Sequence, residues 1–420
     1  MDYDLIGRLL LSLPAGDAET ARMAALADKI STYFTPNENL VYRGVAGIGR
    51  HGGAIIFLDR RRHPSRKIVV KYSISDQADA DLRNEAQFLE MLRGAEHIGQ
   101  TIPLAEATLN VSGTGKRPTL ALDFIPYGTI YAFRSRMDRT HYRVPSRFLW
   151  RAFLCLVRQV LAMAFPPQGG PDEPLRRERF HQHRPLGVVQ NSPHGNNVII
   201  GDLTSDDFEH SLAPILKLID FGRGEILRDE EGAIYDNIGN IGVLFIIIFE
   251  RRLDESYLDN IPELGWQYEF VDRQTGENRR IGTAAPPFFT ESKYIDVELR
   301  DLVVRCMAVS SDNTPSLEEL VGEAERGVAK GPEDIVYEDT AVDPRQTETD
   351  EMIRNLVQRF ILDAGTIEEE AATLNRRTVN HHLGTTLLGI NATTRPGPAQ
   401  RHQFKQSNLD ANTVVDNDID

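Results

Sequence analysis

A handful of residues in this sequence carry atoms suited to holding a phosphate and its metal. Gly47-Ile-Gly49-Arg-His-Gly52 spaces three glycines so that a backbone turn can approach phosphate oxygens without Cβ collisions. The same spacing suits a plain flexible hairpin, and a dinucleotide fingerprint is excluded because a strand-like run, not a helix, follows it. Lys71 closes the apolar run Ile68-Val69-Val70, nineteen residues after Gly52, and Glu85 follows fourteen residues later. A lysine on a strand and a glutamate on the next helix can pair, holding the ammonium toward two phosphates. The plainer reading is a solvated strand end and a surface charge. Leu216-Lys-Leu-Ile219-Asp220-Phe221-Gly222 sets a carboxylate directly after an apolar strand. An acid there is costly unless a cation meets it, which points to magnesium. Asn197, just before Val198-Ile-Ile, offers a second oxygen, although alone it reads as a turn residue.

These residues need elements to position them. Residues 2–34 show helical spacing (Leu5, Leu9, Leu26, Ile30) broken at Pro14-Ala-Gly. Leu40-Val-Tyr, Ala54 to Leu58 and Ile68-Val-Val are short β-rich runs, a meander of strands. Residues 78–93 read as a helix with Ala86, Leu89 and Leu92 on one face, followed by strands near Ala105–Thr108 and Thr119–Phe124. Phe148 to Phe165 is a strongly apolar helix, and Pro166 to Arg184 reads as a surface insertion. Two strands, Val198-Ile-Ile and Ile215 to Ile219, flank an acidic loop, and helices are expected from Tyr235 to about Gly327. Met352 to Leu374 is one further helix candidate, and the stretch from Thr393 reads as disordered. A strand-rich part followed by a helix-rich part predicts an α+β fold of two packed lobes, without βαβ units. The expected divisions are a helical extension (1–36), a small lobe with hinge (37–128), a large lobe (129–330) and a tail (331–420).

Composition narrows the classes. The 420 residues carry a formal net charge of −15, which argues against a nucleic-acid partner but not against a single nucleotide. Two cysteines, Cys155 and Cys306, give neither a disulfide framework nor zinc spacing, and both read as core thiols. His181-Gln-His183 lacks a third ligand nearby. The acidic start Met1-Asp-Tyr-Asp does not look secretory, and the apolar run Ile241–Phe249 is short for a membrane span. The expectation is a cytoplasmic or nuclear protein with no membrane partner.

Taken in order, Gly47/Gly49/Gly52, Lys71, Glu85, Asn197 and Asp220-Phe221-Gly222 resemble the protein-kinase signature set over roughly residues 40–325. The run from Asn197 to Asp220 also looks like a group of filamentous-fungal kinase-like proteins. The resemblance implies a bilobal fold that binds ATP and Mg2+. Gly47, Gly49, Gly52, Lys71, Glu85, Asp123 and Ile125 would then lie at the nucleotide, and Asn197 and Asp220 at the metal. Leu122-Asp123-Phe124-Ile125 looks like the hinge whose backbone would hold adenine. Asp236 to Gly242 looks like the buried helix of the large lobe, and Asp301-Leu-Val and Pro315 to Leu320 like its closing helices.

The departures from that pattern are as informative as the matches. The catalytic triplet falls on Gln190-Asn191-Ser192, so Ser192 stands where the pattern requires an aspartate base. A serine hydroxyl is no base at neutral pH, which forfeits about 10²–10⁴ in rate from that role. His194 holds the catalytic-loop lysine position. Only thirteen residues (223–235) separate Gly222 from Asp236, without Ala-Pro-Glu, and Asn313-Thr314 replace the arginine that would pair with that glutamate. The expected function is therefore a pseudokinase that binds nucleotide and acts on protein partners. The alternatives are a weak or unconventional Ser/Thr kinase using His194, a small-molecule phosphotransferase of the aminoglycoside or choline kinase type, and a scaffold without nucleotide.

Overall fold

The computed structural model describes residues 39–364, apart from 50–51, 74, 105–107, 112–114, 141, 168, 171–172, 251–264 and 273–274. The helical extension, the residues after 364 and the tip of the glycine hairpin lie outside that set. The chain divides into two units, 1–364 and 365–420, and everything below concerns the first.

The protein is a mixed α+β structure. Strands β1 (Leu40–Gly49), β2 (Gly52–Asp59), β3 (Arg66–Ser73), β4 (Thr108–Val111) and β5 (Gly115–Asp123) form an antiparallel sheet in the order β1-β2-β3-β5-β4. Alternation drives it: Ile55, Phe57, Ile68, Val70 and Tyr72 point to one side and close a core with Leu40, Ile102 and Ala121. Between β3 and β4 runs α1 (Asp76–Met91), which packs on β3 and β5. Ser75 caps it by accepting the Ala78 N–H, and Asp76 and Asp79 complement its positive end.

Beyond Asp123 the chain is mainly helical: α2 (Ile130–Asp138), α3 (Ser146–Ala164), α4 (Glu230–Phe249), α5 (Val297–Cys306), α6 (Leu317–Ala329) and α7 (Asp350–Val357). Every residue of α3 is buried. Two of its three arginines are paired, Arg158 with Glu209 and Glu325 and Arg147 with Asp350, while Arg151 Nη1 donates to Arg147 O at 3.0 Å. Close approach of α6 depends on Gly327, where a Cβ would stand 2.1 Å from the Trp150 ring. Helix α4 is long and apolar enough to cross a bilayer by length and composition, and half of that apolar window is buried, against neighbours that include α3 and α5. Its inward polar residue is Asn237, whose Nδ2 donates at 2.7 Å to Val188 O of the short strand β6 (Val188–Val189), itself paired with β9 (Glu225–Ile226), while Asp236 is exposed.

Two expectations need correction. The region 235–327 is not uniformly helical, because β10 (Trp266–Val271) and β11 (Asn278–Thr283) form an antiparallel ribbon. The alternating side chains of Gln267-Tyr-Glu-Phe-Val and the turn at Gly276, with φ +72°, account for it. The stretch 166–184 is not simply a surface insertion, since Glu178 within it is 1% exposed and bonded to His97. Residues 332–362 pack back on the helices: Arg136 Nε donates to Phe360 O, and Arg147 Nη1 to Glu348 O.

Candidate functional site

Register places the lysine. Lys71 pairs with Ala54 on β2 and Leu120 on β5, on the half-buried face of β3. Glu85 lies on the buried face of α1, and its Oε1 accepts the Lys71 ammonium at 2.6 Å. Burial disfavours the Lys71 charge, but the carboxylates of Glu85 and Asp220 outweigh it and hold its pKa above the ordinary lysine value. Burial also dominates at Glu85 and lifts its carboxyl, with Lys71 opposing and Asp220 adding. One ammonium thus faces two carboxylates, a surplus of negative charge that suits a divalent cation.

Asp220 follows the ribbon of β7 (Val198–Ile200) and β8 (Leu216–Leu218), in which Val198 pairs with Leu218. Ile219 N donates to Asn197 O at 2.8 Å, so the ribbon brings Asn197 and Asp220 to the same end. Asp220 sits at φ +67°, a left-handed conformation uncommon outside glycine and most tolerable for Asn and Asp. Three contacts hold this turn. Gln190 Nε2 donates to Asp220 O at 2.8 Å, and Gly222 N donates to Asp220 Oδ1 at 3.3 Å. The Phe221 ring, fully buried, stacks on Phe88 of α1 with centroids 6.1 Å apart. Asn84, one residue before Glu85, donates to the carbonyls of Phe221, Gly222 and Gly224 at 3.4, 3.1 and 2.8 Å. The helix carrying Glu85 is therefore fastened to the turn carrying Asp220. The sequence gives no sign of Asn84, and it places Gln190 at the first position of the triplet without its contact to the Asp220 carbonyl.

The loop before β7 settles which asparagine faces Ser192. Asn197 Nδ2 donates to both the backbone oxygen and Oγ of Ser192, each at 3.0 Å, leaving its own Oδ1 as the acceptor. Asn196 faces Thr129 instead, its Oδ1 accepting the hydroxyl at 3.2 Å. Asn191 adopts φ +57° and donates to Glu225 Oε1 at 2.6 Å. His194 stacks on Tyr131 with centroids 6.1 Å apart, and its Nδ1 accepts the Asn196 N–H. Ser192 thus offers a hydroxyl, and no carboxylate, beside Asn197.

In the glycine hairpin Gly47 pairs with Ala54, and Gly49 with Gly52. A Cβ at Gly52 would lie 2.0 Å from Tyr72 O, so close strand packing by itself requires glycine there. Around Gly47 no heavy atom lies within 4 Å of a would-be Cβ. Asp123 ends β5 with its N–H committed to Gln100 O and its carboxylate 3.4 Å from Arg66. Ile125 is half-buried beside Gly201, and Tyr127 N donates to Ile200 O, so the connection leans on β7. A separate open cleft of about 790 Å³ lies between Arg134, Tyr142, Phe249 and Tyr294, and no residue assigned above lines it.

Compared with known proteins, the chain matches no family model and no curated protein.

Proposed function

We propose that the chain is a kinase-like pseudokinase: it binds ATP with magnesium between two lobes and transfers phosphate inefficiently or not at all. In this reading the sheet β1 to β5 with α1 is the small lobe, the helical region 129–330 the large one, and residues 123–125 their hinge. The observation that carries it is the Lys71–Glu85 ion pair within electrostatic reach of Asp220. Lys71 keeps donors for two phosphates after serving Glu85, while Asp220 and Asn197 Oδ1 supply hard oxygens suited to Mg2+. When bound, the metal would neutralise charge on the phosphates. What the chain lacks is an acceptor for the hydroxyl proton, because Ser192 cannot take it. The output is then conformational, delivered to protein partners through the α1–Asp220 turn connection.

The test is thermal unfolding with ATP, with and without magnesium. At 100 times the dissociation constant, a ligand stabilises the native state by about 2.7 kcal/mol. A melting curve unmoved by millimolar ATP and magnesium would defeat the reading and leave a scaffold without nucleotide.

A further inference from the structure

Far apart in sequence, three side chains meet in the interior: His97 in the turn after α1, Cys155 in the middle of α3, and His210 in the loop between β7 and β8. They are 0%, 1% and 2% exposed, and one donor atom from each lies within 4.8 Å of the others. Three of the four ring nitrogens have no hydrogen-bond partner. His97 Nε2 faces the cysteine without a hydrogen bond of normal geometry, and neither ring nitrogen of His210 has a hydrogen-bond partner, Nε2 lying 4.0 Å from Asp207 Oδ2. The two rings lie 5.2 Å apart. The other nitrogen of His97 is fixed: Glu178 Oε2 lies 2.7 Å from Nδ1, and Glu178 Oε1 accepts the His97 backbone N–H at 2.8 Å.

We propose that His97, Cys155 and His210 form a structural zinc site. An orphaned buried donor or acceptor is destabilising, and a single ion satisfies all three residues together. Two imidazoles and a thiolate are soft to borderline ligands, which favours zinc over the hard cations expected at Asp220. A carboxylate on the far nitrogen of a ligating histidine turns the lone pair of Nε2 toward the metal, which is the role Glu178 is placed to play. Charge also balances, since zinc with one thiolate carries a single positive charge and Glu178 offsets it. The neighbouring acids are engaged elsewhere, Asp207 with Arg177 at 2.6 Å and Glu209 with Arg158 at 2.7 Å. Tetrahedral zinc separates its donors by about 3.3–3.7 Å, so binding draws the donor atoms together by at most about 1.5 Å. The fourth position falls to a water. With the ligands buried, the site's role is to tie α1, α3 and the β7–β8 loop together, and it stands or falls independently of nucleotide binding. Cysteine and histidine spacing gave no warning, because each ligand comes from a different element.

The test is metal content of the full chain, purified with a tag free of histidine and exchanged into metal-free buffer. The expected result is about one zinc per chain, and a melting temperature that falls with a strong chelator and recovers with zinc. Cobalt(II) added to the stripped chain should give thiolate-to-cobalt charge transfer in the near ultraviolet, absent in Cys155→Ala. Glu178→Gln should keep the stoichiometry and weaken zinc by about 10–100-fold. A wild-type chain with no stoichiometric zinc and no cobalt–thiolate band overturns the proposal, whatever the variants do. Full zinc retention by a folded Cys155→Ala/His210→Ala chain overturns it equally.

Discussion

Lys71 Nζ lies 2.6 Å from Glu85 Oε1, joining the middle of the antiparallel sheet to the helix that crosses it. Glu85 is almost fully buried, so the pair binds two elements rather than decorating a surface. Lys71→Met should leave that carboxylate unpaired and cost about 3 kcal/mol in denaturant unfolding. Lys71→Met/Glu85→Leu should recover most of the loss, because an apolar pair replaces a buried ionic one. Neither variant should show the ATP-dependent shift. A Lys71→Met chain as stable as wild type would mean that the pair does not hold α1 in place.

Asp220 combines a strained backbone with the only carboxylate of its turn, and two substitutions separate these roles. Asparagine tolerates the left-handed conformation nearly as well, so Asp220→Asn should unfold within about 0.5 kcal/mol of wild type. Its magnesium-dependent stabilisation by ATP should be lost. Asp220→Gly should be as stable or slightly more so and equally unresponsive. Magnesium dependence that persists in Asp220→Asn would remove this residue from the metal.

The strands around Lys71, the helix of Glu85 and the ribbon before Asp220 were legible because apolar alternation and helical spacing report burial directly. Asn197 is preferred to its neighbour Asn196 in the sequence only for its place before Val198-Ile-Ile, since the contact that distinguishes them depends on the single turn that aims Asn197 at Ser192. The contacts of Asn84 and Gln190 escaped for a related reason: the partners are backbone carbonyls, which any sequence can offer. The His97–Cys155–His210 cluster joins three elements and leaves no periodic trace. The β10–β11 ribbon is masked by the long apolar helix α4 before it and the helical spacing of α5 after it.

Helix α3 begins at Pro145, which makes no side-chain cap, and its first amides are met from far downstream. Ser146 N and Arg147 N donate to the two oxygens of Glu348 at 2.6 and 2.9 Å, and the Tyr337 hydroxyl donates to the same carboxylate. Glu348→Ala should cost about 2–4 kcal/mol, leaving buried N–H groups unmet. Glu348→Gln should cost less, since one oxygen still accepts. Burial lifts the Glu348 carboxyl above its ordinary range against the pull of these donors. The folded chain therefore binds this proton more readily than the unfolded one, and wild type gains on the glutamine variant as pH falls through that window. A gap between the two that narrows on acidification would contradict this assignment.

The last prediction concerns Ser192, which receives both hydrogen bonds of Asn197 Nδ2 where the kinase pattern places a base. If the missing carboxylate is the main lesion, Ser192→Asp should gain autophosphorylation or transfer to a generic protein substrate over an inert wild type. The expected gain is about 10²–10⁴-fold, the range of a positioned general base. An aspartate there can still accept the Asn197 amide, so the variant should fold normally. The competing route runs through His194, whose imidazole would serve as the base. It predicts a wild-type activity that disappears in His194→Ala, an outcome that would replace the pseudokinase proposal with an unconventional kinase. Should Ser192→Asp bind ATP and stay inert, the thirteen residues between Gly222 and Asp236 become the second lesion. They carry no peptide platform, and the arginine that would brace one is replaced by Asn313, which accepts from Arg279 Nη2 at 3.0 Å. A radiolabelled transfer assay on these three chains, beside the ATP melting curves, separates the readings.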